Sequence, residues 1–72
     1  MPSQIQSVYG MSSRGWTATR MRAWLKSEGL KPIKRVQKEG DEMRYRIRLP
    51  GRYSRFTTKV LPNGIHLVLG WP

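Results

Sequence analysis

Met43-Arg44-Tyr45-Arg46-Ile47-Arg48-Leu49 is the stretch on which the reading of this chain turns. Successive side chains of an extended strand point to opposite faces of a sheet. The period of two therefore puts Met43, Tyr45, Ile47 and Leu49 on one face and Arg44, Arg46 and Arg48 on the other. Such a strand needs a cover for its apolar side, and the rest of the sequence has to supply it.

On the C-terminal side, Pro50-Gly51 breaks the strand, and Arg52-Tyr53-Ser54-Arg55 bridges to a second over 56–61, where Thr57, Thr58 and Val60 favour extension. Pro62-Asn63-Gly64 then signals a hairpin. Pro62 suits the second position of a type I turn, Gly64 suits the left-handed bulge after it, and 65–69 returns as a third strand. On the N-terminal side, Glu39-Gly40-Asp41-Glu42 reads as a turn preceded by an imperfect strand over 33–38.

The cover lies further upstream. Ala18, Met21 and Leu25 fall on one helical stripe that Trp24 widens, predicting a helix over 18–28 with Thr17 as its N-cap. Gly29 suits the left-handed position after the helix, Leu30 would fold back toward Leu25, and Pro32 reinforces the stop. Gly10-Met11-Ser12-Ser13-Arg14-Gly15 reads as a loop, and Ile5-Gln6-Ser7-Val8-Tyr9 has irregular apolar spacing. The expected fold is a single small basic α+β domain over 1–72. It has one amphipathic helix packed on an antiparallel sheet of three strands, or four if the N-terminal segment joins.

Composition narrows the function. Lys and Arg number 14 against 4 Asp and Glu, a formal net charge of +10 over 72 residues. All the cations lie between Arg14 and Lys59, while Glu39, Asp41 and Glu42 share one turn. An excess of this size points to an anionic partner, either nucleic acid, DNA or RNA, or an anionic membrane surface. The absence of cysteine removes disulfides, thiolate metal sites and thiol nucleophiles. No cofactor motif is present, no apolar run is long enough for a spanning helix, and Met1-Pro2-Ser3-Gln4 has no secretory character, so a cytoplasmic protein is expected.

The ladder Arg44/Arg46/Arg48 is the first candidate site. Alternate residues of a strand stand about 6.7 Å apart, comparable with the phosphate spacing along a nucleic-acid strand, and guanidinium groups bind phosphate bidentately. Lys59 would extend the ladder, while Arg52, Tyr53 and Arg55 in the following loop would contact phosphate and stack on an exposed base. A second patch comprises Arg14, Arg20, Arg22 and Lys26, with Lys31, Lys34, Arg35 and Lys38 just beyond. Helix-start amides near Arg14 and Arg20 would add to it.

The competing readings are structural. An alternating strand needs a polar outer face whatever its function, and long cationic stems solubilise a helix while covering Trp24. Trp24 and Tyr45 are expected in the core, and Tyr53 caps its edge in the structural reading. Trp16 is either a staple or an exposed platform, and Trp71 either closes the sheet's end or serves a partner.

A non-catalytic nucleic-acid-associated binding protein leads. The alternative is a small structural or regulatory protein-binding module, such as a particle component or an inhibitor, that docks on an acidic protein or forms a homo-oligomer. A ribonuclease using the sole histidine, His66, is a distant third.

Overall fold

The sheet has five strands, not three. The computed structural model describes residues 3–72, the Arg52 side chain excepted. The strands are β1 (Gln4–Met11), β2 (Gln37–Glu39), β3 (Glu42–Arg46), β4 (Arg55–Val60) and β5 (His66–Trp71), with one helix, α1 (Ala18–Ser27), after β1. Their order across the sheet is β2-β3-β1-β5-β4, and every neighbouring pair is antiparallel. No helix among the described residues is long and apolar enough to cross a membrane.

The N-terminal segment is thus the central strand, and its irregular spacing has a structural cause. Ile5 pairs with Leu69 and Ser7 with Val68, so Gln6 is an extra residue, a β-bulge. The bulge shifts the inward parity from Ile5 to Val8 and Gly10, which hides the period of two. Gln6 is buried but satisfied: its Nε2 donates to Arg48 O at 2.8 Å, its Oε1 accepts from Ser7 Oγ, and its carbonyl accepts from the Ile47 and Arg48 amides.

The helix ends as its sequence dictates. Thr17 is extended, and its hydroxyl accepts the Arg20 amide at 3.1 Å. At the other end Gly29 takes φ +71°, the Leu30 amide donates to Leu25 O at 2.9 Å, and the Gly29 amide donates to Lys26 O at 3.1 Å, the two bonds of a Schellman cap. The β4–β5 hairpin is equally local. Gly64 N donates to Leu61 O and Leu61 N to Ile65 O, with Gly64 at φ +88°, which is a type I turn closed by a glycine bulge.

Two expected strands are shorter. Pairing over 33–38 begins only at Gln37: the β2–β3 register would set Arg35 opposite Arg46, but Ile33 donates to Arg46 O instead, so 34–36 leave the ladder. The strand expected over 43–49 stops at Arg46, where the Gln6 bulge captures the next two amides. Met43, Tyr45 and Ile47 are still buried, whereas Leu49, expected inward, is 58% exposed.

Met21 and Leu25 of α1 pack on Val8, Met43, Tyr45, Ile47, Ile65 and Leu67 from one sheet face. Trp16 joins this core, its Nε1 donating to Asn63 O at 3.0 Å, while Trp24 is only half-buried at the edge. Gly10 is required where the helix comes closest, since a Cβ there would lie 2.8 Å from Met21 Sδ and 3.2 Å from Trp16 Cβ. The opposite face is not covered by α1. Strand register places Tyr9, Arg44, Arg46, His66, Val68 and Thr58 on that open face.

Candidate anion-binding surface

Each ladder arginine has a distinct environment set by its neighbour across the sheet. Arg44 lies between Gln37 and Tyr9 in register, its Nε and Nη2 donate to Gln37 Oε1, and its Nη1 donates to the Tyr9 hydroxyl at 3.2 Å. Arg46 is half-buried opposite Ser7, with its Nε enclosed and unpartnered. Arg48 lies beyond the end of β3 and clamps the bulge through Nη1 to Ile5 O at 2.7 Å. Glu39 and Glu42 stand in the next row of the same face, so acids do flank the ladder. Two of its three head groups are engaged within the fold.

Lys59 and Arg55 do not extend this ladder. Lys59 pairs with Leu67 and Arg55 with Trp71, residues of the helix-side parity, whereas Arg44 is aligned through Tyr9 with His66. Both cations lie on edge strand β4 and face the other way. Arg55 rests 4.8 Å from the centre of the Trp71 ring, and Trp71 Nε1 donates to Thr57 Oγ1. The Arg52 side chain lies outside the described residues.

Tyr53 packs inside the fold rather than standing free. Its ring lies over Gly70, meets Phe56 edge-to-face at 5.7 Å, and its hydroxyl donates to Gln4 Oε1 at 2.8 Å. A Cβ on Gly70 would approach the ring atoms to 2.5–2.7 Å. Gly70→Ala is therefore expected to cost about 1–3 kcal/mol through overpacking, measured as a lower urea midpoint. An unchanged midpoint would show that the ring leaves without penalty.

The second patch separates into two flanks. Arg20 bonds Gly15 O and stacks 4.5 Å above Trp16, while the Arg14 guanidinium lies against Gly64. Arg22 and Lys26, one turn apart on α1, face another direction. Arg22, Lys34 and Arg35 line a groove between α1 and the 32–36 segment, with Tyr45, Ile33 and Val36 among its other walls. Arg22 also borders an adjoining apolar hollow with Lys26, Leu30, Lys31 and Pro32.

One continuous surface thus gathers Arg22, Lys26, Lys31, Lys34 and Arg35. All five are exposed, and neither depression is lined by an acid. The sequence carried this signal as a run of cations on both sides of Gly29. The stop at Gly29 and Pro32 folds that run into a two-sided groove, a step that strand periodicity does not reveal.

His66 is half-buried on the open face and shares a shallow depression with Tyr9, Glu42, Thr58 and Val68. Among the described residues no group of three or more potential ligands is placed to hold a metal ion. Comparison of the chain with protein-family models, with curated proteins and with solved structures finds no match in any of the three.

Proposed function

We propose that this protein is a non-catalytic nucleic-acid-associated binding protein whose main phosphate-contacting surface is the groove between α1 and the 31–36 segment. The observation that carries this reading is the gathering of Arg22, Lys26, Lys31, Lys34 and Arg35 around two adjoining depressions without an acidic wall. The formal net charge of +10 supports it through long-range attraction to a polyanion. Guanidinium groups from Arg22 and Arg35 would hold phosphate oxygens bidentately, while the three lysines act as mobile point charges. Arg44 and Arg46 form a secondary contact at most, because binding there requires Arg44 to release Gln37 and Tyr9.

Such an interface reads backbone charge and not base sequence. Titration with DNA and RNA duplexes and single strands over a salt series is the direct test. Log affinity should fall linearly with log salt, by about 0.9 per phosphate contact on duplex DNA. No binding to any of the polymers at low salt, or tight binding without a salt slope, would reject the reading.

A further inference from the structure

We infer that a second copy of this chain pairs antiparallel with the free edge of β4, centred on Thr58, and continues the sheet from five strands to ten. β4 ends the strand order, and all six of its residues are exposed. It contains no proline, its pairing with β5 runs without a register shift, and its two cations, Arg55 and Lys59, both belong to the helix-side parity, so charge guards one face of this edge only.

The hairpin determines which backbone groups are free. Leu61 N donates to Ile65 O, making 61/65 a hydrogen-bonded pair. Antiparallel ladders alternate, so Arg55, Thr57 and Lys59 direct their amides and carbonyls toward β5. Phe56, Thr58 and Val60 direct theirs outward.

Symmetric pairing of these outward groups leaves few registers. With Thr58 opposite its own copy, Phe56 faces the partner copy's Val60, and all three outward residues of each strand form hydrogen-bonded pairs. Aromatic–β-branched and Thr–Thr pairs of this kind are favourable across strands. On the helix-side parity Lys59 then faces Thr57. Shifting the centre to Thr57 sets Arg55 against Lys59, and shifting it to Lys59 sets that lysine against itself, both like-charge pairs. Tyr53 already holds Phe56 edge-to-face at 68°, so the apolar partner for Val60 is ordered before association.

Self-pairing and polyanion binding respond oppositely to salt. Each copy carries +10, so added salt screens the repulsion and should strengthen association while weakening nucleic-acid binding. The two proposals therefore fail separately.

Sedimentation of the full chain across protein and salt concentrations should show a monomer–dimer equilibrium that shifts toward dimer as salt rises. Thr58→Lys should weaken it by at least roughly fivefold, by opposing two cations at the axis, with an unchanged circular dichroism spectrum. Thr58→Cys gives the otherwise cysteine-free chain a single thiol. With oxidised glutathione as the electron acceptor, two such thiols should join across the axis as a disulfide, faster than Thr57→Cys under the same conditions. A monomer mass throughout, a dimer indifferent to Thr58→Lys, or faster linkage at Thr57→Cys would each overturn the inference.

Discussion

Leu25→Ala is expected to cost about 3 kcal/mol, a large share of the roughly 5 kcal/mol at the lower end of domain stabilities. Leu25 is only 1% exposed. It faces the sheet from the last turn of α1, one turn beyond Met21 on the same buried stripe, and its carbonyl also accepts the Leu30 amide that closes the helix. Removing its side chain leaves a cavity in a domain with one small core, and no second core can compensate. Urea unfolding would measure the loss. Trp24→Ala is the informative comparison because the larger residue should matter less: Trp24 packs only partly against the core and retains contact with water. Its loss should cost about 2 kcal/mol, scaled to the apolar area actually buried. A greater loss for Trp24→Ala would mean that the buried stripe of α1 is rotated from the one described.

Replacing Arg22, Lys26, Lys31, Lys34 and Arg35 together with Gln should lower nucleic-acid affinity by up to about four powers of ten near 0.1 M salt and flatten the salt slope by up to about 4.5. These values assume that every one of the five contacts a phosphate. The side chains are exposed, so circular dichroism and the urea midpoint should remain close to the parent values. The comparison variant replaces Arg44, Arg46 and Arg48 with Gln. That variant removes three charges but also the bonds to Gln37, Tyr9 and Ile5, so it should lose more stability and less affinity. The reverse ranking in affinity, with both variants folded, would return the primary site to the strand ladder. Losses that are equal per charge removed would mean that net charge acts without a preferred surface.

The contrast between groove and ladder shows how far sequence reading extends. The arginines of the ladder do alternate with buried Met43, Tyr45 and Ile47, as their period requires. Their chemical availability depends on neighbours that periodicity does not name. Tyr9 and Gln37 come beside Arg44 only because β1 and β2 flank β3, and Arg48 folds onto Ile5 because β1 bulges at Gln6. Lys59 shows the same limit. Its strand and its exposure were legible, but its face was not, since the parity of β4 relative to β3 is transmitted through β5 and β1.

What the sequence by itself determined is whatever a few neighbouring residues settle among themselves. Thr17 and Gly29 bound the helix through bonds to amides and carbonyls within a turn. Pro62, Asn63 and Gly64 close a hairpin whose geometry needs no distant partner. Met21 and Leu25 fall on one helical face at any temperature or in any fold that keeps the helix. Tertiary structure alone decided that the first strand lies at the centre, that the sheet has five strands and that the cations on either side of Gly29 meet across a groove. Those outcomes depend on contacts between distant parts of the chain, where a one-residue bulge reverses every side chain beyond it. Local preference has no knowledge of that shift, because the energy that selects it appears only when the strands and helix bury one another.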